Sequence, residues 1–216
     1  RCSALRILLL PEVIADNALK IISGALEELE VGDPRNLATD IGPVIDAKAK
    51  ANLEAHIKNL EQSSEAKLIS KLAIKPELLK DNNSDNFFAP QIWKIDDLSL
   101  LKEEHFGPIL HVVTYKKDSM KELIEKVNSL KFGLTFGIHT RIHEQYSGIE
   151  NHINVGNIYI NRNVTGAVVG SQPFGGEGLS GTGFKAGGPH YLLKFINEKV
   201  VTTNVAAIGG NIDLLM

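Results

Sequence analysis

The sequence predicts an α/β domain with a largely parallel sheet flanked by helices, followed by a C-terminal strand and tail that pair elsewhere. Three observations carry this reading. Short apolar or β-branched runs alternate with longer stretches whose apolar positions recur every three or four residues, which is the pattern of alternating strands and helices. Gly and Pro clusters punctuate the boundaries. At 216 residues the chain is long enough to bury a substantial core.

In chain order, residues 5–10 form a buried strand ended by Pro11. Ile14, Ala18, Ile21, Ile22, Ala25, Leu26 and Leu29 then recur at helical spacing and predict an amphipathic helix stopping near Gly32. Asp16 serves it as a first-turn carboxylate, favourable against the helix dipole. Gly32, Pro34, Gly42 and Pro43 mark a loop. A second helix follows, capped by Asp46, with Ala47, Ala51, Leu53, Ile57 and Leu60 periodic and a polar end at residues 62–65. Strands are expected at residues 67–70, 87–95 and 109–115, with an exposed turn at 82–86. Ser119 and Glu122 form a capping-box pattern ahead of a third helix through Met120, Leu123, Ile124, Val127 and Leu130, which Gly133 ends. A strand at 134–140, a short helix at 143–151 and a strand at 156–161 complete the alternation. Residues 191–196 read as a short helix. Residues 200–205 read as a terminal strand with no partner nearby in sequence, suited to pairing with another subunit.

Residues 165–188 differ in kind, because nine of the 24 are glycine, too many for a helix or a good strand. Pro173, Phe174, Leu179 and Phe184 are poor linker residues, so the stretch predicts an ordered loop. Within it, Gly176-Glu177-Gly178-Leu179-Ser180-Gly181 matches G-x-G-x-x-G. A dinucleotide loop needs a strand before that pattern and a helix opening within it, and Pro173, Gly183, Gly187 and Gly188 provide neither.

Composition excludes several partners. A net charge of -3 without Lys/Arg clusters gives no footprint for nucleic acid or a membrane surface. The apolar run at residues 7–10 is far shorter than a bilayer span and carries no secretory cleavage pattern. One unpaired cysteine and no targeting segment predict a cytoplasmic protein. Cys2, the sole cysteine, admits three readings: buried filler, incidental surface group, or nucleophile. No metal site is expected. His139 and His143 are four apart, but on a strand and turn with no carboxylate or cysteine to complete a ligand set. A thiol hydrolase pairing Cys2 with a histidine lacks supporting sequence context.

Four motifs in order, Arg1-Cys2-Ser3-Ala4, Asp40-Ile41-Gly42-Pro43-Val44-Ile45, Glu104-His105-Phe106-Gly107-Pro108 and Pro173-Phe174-Gly175-Gly176, resemble the aldehyde dehydrogenase superfamily, across nearly the whole chain. Asn161-Arg162-Asn163, residues 165–170 and Gly187-Gly188-Pro189 resemble its L-glutamate γ-semialdehyde dehydrogenase branch. The ending at 204–211 is similar to bacterial members that fuse this activity to a proline dehydrogenase. The resemblance implies a catalytic domain over residues 1–195 and an oligomerisation strand and tail over 196–216, hence a homo-oligomer. It implies Cys2 as the nucleophile that accepts the acyl group from a small-molecule aldehyde. Glu104 and Phe106 correspond to contacts with the cofactor NAD, although without the resemblance Glu104 reads as a solvated loop carboxylate beside Glu103. Ser3, Gly166 and Ala167 correspond to the anchor for the substrate's α-amino carboxylate. Phe174 corresponds to a wall for its aliphatic stem, with a core role as the alternative. The general-base glutamate and main NAD-binding domain are expected upstream of Arg1, and FAD only in a proline dehydrogenase part outside this chain. The isolated chain is therefore expected to be inactive and to bind little NAD. Two other readings are an assembly module and a dehydrogenase of different semialdehyde specificity.

Overall fold

A computed structural model describes residues 1–75, 86–142, 144, 146–204 and 207. Its centre is a four-stranded sheet made of β1 (Ile7–Pro11), β2 (Ala66–Lys71), β3 (Gln91–Ile95) and β4 (Ile109–Tyr115), in the order β1-β4-β3-β2. β1 and β3 both run parallel to β4, while β2 pairs antiparallel to β3 and carries an irregularity between Leu68 and Ser70. The expected parallel character therefore holds for two of the three pairings, and the edge strand departs from it.

Each face of this sheet buries a separate core. α1 (Glu12–Glu27) covers one, where Ala15, Leu19 and Leu26 pack with Leu10, Ile92 and Val112. α2 (Ala47–Gln62) and α3 (Met120–Ser129) cover the other, where Leu53, Ile57, Leu60 and Leu123 meet Trp93, Ile95, Ile109 and Val113. Strand alternation explains the division, since Ile92 and Val112 face α1 whereas Trp93, Ile95, Ile109 and Val113 face α2. Each such side chain contributes about 1.5–3 kcal/mol when fully buried. Asp46 caps α2 as expected, accepting from the Ala49 N–H at 2.7 Å. Lys126 of α3 donates to Asp97 at 2.5 Å and holds that carboxyl down at about 2.

Several local expectations are corrected. α1 begins directly after Pro11, so Glu12 and not Asp16 is the first-turn carboxylate. β3 starts only at Gln91, because Pro90 cannot donate to a ladder. Ser119 does not cap α3. A 3-10 turn, Lys117–Ser119, runs straight into the helix, and the Ser119 hydroxyl donates back to the Lys116 carbonyl at 2.9 Å. Lys131, at φ 61°, takes the left-handed position after α3 that glycine usually fills, so Gly133 does not end the helix. Gly133 lies instead in β5 (Phe132–Gly133), where a Cβ would come within 2.5 Å of the Asn154 carbonyl oxygen. Among the described residues, 146–152 form turns rather than a helix, and 200–204 form no strand. The exposed turn expected at 82–86 lies, except for Asn86, outside the described residues.

The second half of the chain adds two small ladders, β6 (Thr135–Ile138) parallel to β7 (Asn157–Ile160), and β5 antiparallel to β8 (Glu177–Gly178). The glycine-rich stretch folds on itself as an ordered loop. Bridges join Val168 to Gln172 and Phe174 to Ala186, and the Gly183 N–H donates to the Gly176 carbonyl at 3.0 Å. The G-x-G-x-x-G glycines are needed for main-chain contact rather than phosphate. A Cβ at Gly176 would meet the Ser180 carbonyl oxygen at 2.5 Å, and one at Gly178 the Lys131 carbonyl oxygen at 2.5 Å. Gly156 fixes the loop to β7, since a Cβ there would overlap the Gly175 carbonyl.

Three histidines sit between α2 and β4. His56 and His111 are both 4% exposed, with their Nε2 atoms 2.8 Å apart, and His105 stacks on His56 at 3.6 Å between ring centroids. The Arg6 carbonyl lies 3.3 Å from His111 Nδ1 and can only accept, so Nδ1 carries the proton. His111 Nε2 is then the acceptor and His56 Nε2 the donor, an arrangement that needs the His111 ring neutral. Burial, reinforced by repulsion from the neighbouring rings, pushes His56 down to about 3. Burial likewise pushes His111 to about 4, against the pull of the Arg6 carbonyl. Burial also lowers His105, which the charge of Glu103 opposes.

Two predictions follow from this packing. Because the histidines stay neutral when folded but protonate near pH 6.5 when unfolded, their contribution is complete above about pH 6.5 and is lost progressively as pH falls toward 4 and 3. The urea midpoint should drop between pH 7.5 and 5.0, and His56→Gln, which keeps a donor but does not titrate, should show a shallower drop; equal slopes would refute the assignment. Gly156→Ala should cost about 2–3 kcal/mol. Gly148→Ala, at an open position, should be neutral within about 0.5 kcal/mol, as thermal unfolding of the pair would reveal.

Candidate active site

Parallel pairing brings the first group of candidate residues together. Ile7 lies opposite His111, and the His111 N–H donates to the Arg6 carbonyl at 2.9 Å. The turn of residues 1–4 before β1 therefore stands beside the loop of residues 104–108 before β4. Cys2 is exposed on that turn, whereas Ser3 is buried at 6% exposure. On the neighbouring loop the Glu104 carboxylate is exposed and Phe106 is 53% exposed. The site lies at the amino ends of the parallel strands, opposite to the carboxyl-end crevice of doubly wound sheets.

Arg6 joins the two segments, and sequence reasoning missed it. Its Nη1 donates to the Gly107 carbonyl at 2.5 Å, its Nη2 lies 3.5 Å from the Arg1 carbonyl, and its guanidinium carbon stands 4.6 Å from the centre of the Phe106 ring. Burial lowers the Arg6 pKa, and the Glu104 carboxylate opposes that shift. From below, His105 rests on His56, and the Leu53 side chain fills the space a Cβ at Gly107 would need. The loop is thus held between α2 and the start of β1. His56 was detectable on the apolar stripe of Leu53, Ile57 and Leu60, and His111 on the same strand face as Ile109 and Val113. The join by Arg6 depends on a strand register that local sequence does not show.

A partner fits this loop by chemistry. An exposed aromatic face backed by a cation, one residue beyond a neighbour of an exposed carboxylate, suits a flat apolar ring carried on a hydroxylated sugar. Glu104 and Phe106 therefore fit one end of a nicotinamide nucleotide. Among the described residues no cluster of His, Cys, Asp or Glu is arranged to hold a metal ion.

The second group lies on the glycine-rich loop. Gly166, at φ 120°, and Ala167 are exposed, and the Tyr159 hydroxyl donates to the Gly166 carbonyl at 3.2 Å. Arg162 stacks 4.8 Å from the Tyr159 ring centre and donates to Gln172 at 2.6 Å, bracing both ends of the turn. Phe174 is half-buried, its main chain paired with Ala186. Beside it opens a cavity of about 330 Å³ lined by Pro173, Thr182, Phe184, Lys185, Pro189 and His190. Among the described residues, no hydrogen bond, ion pair or ring contact bridges Cys2 and Ser3 to Gly166 and Ala167.

Residues 1–201 match the model of the aldehyde dehydrogenase family. The chain is 50% identical over 199 residues to the bifunctional protein PutA of Escherichia coli, covering 92% of this chain but 15% of that protein. A mutant of Bradyrhizobium japonicum proline utilization A superposes with a TM-score of 0.83 at 46% identity, over 97% of this chain and 20% of that one. A 1-pyrroline-5-carboxylate dehydrogenase from Thermus with bound NAD superposes at 0.76 and 32% identity, over 90% of this chain and 36% of that one. The chain thus spans well under half the length of these relatives. With its motifs, fold and family match in agreement, the chain belongs to the aldehyde dehydrogenase family.

Proposed function

We propose that this chain is the nucleophile-bearing part of a longer NAD-dependent enzyme that oxidises L-glutamate γ-semialdehyde to L-glutamate, the second step of proline breakdown. One observation carries the reading: an exposed thiol, Cys2, stands on the turn that Arg6 ties to the loop presenting Glu104 and Phe106. Similarity to PutA and 1-pyrroline-5-carboxylate dehydrogenases supports the substrate.

The Cys2 thiolate attacks the aldehyde carbon, forming a C–S bond and a thiohemiacetal. Once the carbon has lost hydride, the acyl group remains on Cys2 as a thioester, reactive enough for water to release the carboxylate and restore the thiol. NAD, when bound, supplies the hydride acceptor. Glu104 accepts hydrogen bonds from ribose hydroxyls, and Phe106 limits the orientation of the nicotinamide ring. Ser3 and the turn at Gly166 and Ala167 anchor the substrate's α-amino carboxylate, the positive φ of Gly166 letting N–H groups converge. Phe174 walls the aliphatic stem. The thiol needs a base, and the oxyanion formed on attack needs a donor besides the Cys2 main-chain N–H; we assign both to the part of the polypeptide that precedes residue 1 in the longer relatives. The chain alone is therefore inactive in this reading.

Residues 196–216 serve subunit contact, and the catalytic domain ends at 195. Ile196, Val200 and Val201 support this, since 66–78% of their surface is exposed in the single chain. Cytoplasmic placement fits an exposed free thiol, and no described helix is long and apolar enough to cross a membrane. FAD belongs to a proline dehydrogenase part outside these residues.

In the natural full-length polypeptide, Cys2→Ala should abolish NAD-coupled oxidation by at least about 10³-fold while leaving NAD affinity within about twofold. Wild-type rates in that variant would overturn the reading. Gly166→Val should raise KM for the semialdehyde by about tenfold or more with an unchanged KM for NAD, a split that steady-state kinetics would resolve.

A further inference from the structure

We propose that Arg6 is a positioning residue that sets the cofactor-side loop against the turn carrying Cys2. The inference rests on the proposed roles of Cys2, Glu104 and Phe106 and adds the part that holds them in register.

The guanidinium makes three contacts at once. It donates to the main chain of the loop at Gly107, covers one face of the Phe106 ring and reaches the Arg1 carbonyl of the nucleophile's turn through Nη2. None of these contacts builds either apolar core. Phe106 and Glu104 are exposed, so the interactions of Arg6 are spent on groups that offer themselves to a ligand. The arrangement costs stability, because the Nε of Arg6 is buried without a hydrogen-bond partner among the described residues. A residue chosen only to close the turn against the sheet would be apolar.

Geometry also explains why lysine is a poor substitute. A planar guanidinium lies flat on an aromatic face while its edge donates to a carbonyl, whereas an ammonium is a point donor that cannot do both. Arg6→Lys keeps the charge near Glu104 and removes the ring support. Arg6→Gln provides a second, uncharged variant should lysine perturb the fold.

The test is a double-mutant cycle on NAD affinity in the full-length polypeptide, read by calorimetry, with Arg6→Lys and Phe106→Leu singly and together. Arg6→Lys and Arg6→Gln should each weaken NAD binding by about tenfold, with the melting temperature within about 3 °C of wild type. In the Phe106→Leu background the same changes should weaken it by only about threefold, because the ring's share of the support is gone while the link to the Gly107 carbonyl still matters. A tenfold loss that persists in both backgrounds, or unchanged NAD affinity in the single variants, would overturn the role of Arg6 while leaving the dehydrogenase reading intact. A wild-type full-length protein that binds no NAD would overturn that reading and this inference together.

Discussion

The parallel register of β1 with β4 is the constraint on which the rest of the molecule depends. It sets two chain segments a hundred residues apart side by side at the amino ends of their strands, one bearing a thiol and the other a carboxylate and an aromatic ring. The same register places the Arg6 carbonyl against both the N–H and the ring of His111. Sliding the pairing by one residue would reverse the faces of β1, sending Leu10 away from the core under α1 and Arg6 away from the loop it braces.

Two kinds of support meet at that loop. On one side is a cation, Arg6, and on the other a stack of uncharged imidazoles packed against α2. The difference follows from exposure. Arg6 is only half-buried and keeps its charge near a carboxylate, whereas His56 and His111 are buried against one another and lose theirs. A charged support and a neutral one let the loop present Glu104 without a second carboxylate beneath it, and let Phe106 lie open without collapsing into either core.

Much of this was legible in the sequence. β4 matches its expected bounds, α2 and its Asp46 cap follow from the periodicity, and the glycine density of residues 165–188 announced an ordered loop. Three of the corrections share a cause. Ser119, Asp16 and Gly133 were assigned roles from local propensity, and in each case a neighbouring element starting earlier or packing closer decided otherwise. The candidate residues Cys2, Glu104, Phe106, Ser3, Gly166, Ala167 and Phe174 were found through ordered motifs, because composition alone leaves them ordinary. Arg6, His56 and His111 escaped because their meaning lies in pairing across long separations, which no local window contains. The fold places Cys2 and Ser3 beside the cofactor candidates, while the remaining candidates Gly166, Ala167 and Phe174 lie on the glycine-rich loop beside β6 and β7.

The way that loop is packed has a consequence for how such a protein changes over generations. Main-chain oxygens of Gly175, Gly176, Ser180 and Lys131 occupy the places where side chains would begin at Gly156, Gly181, Gly176 and Gly178. Shape there is written in backbone, with almost no side chains to exchange one at a time. Single substitutions at those glycines have no small steps to offer, so a lineage reshaping this surface would have to vary flanking positions such as Ala167 and Phe174, or replace the loop as a block.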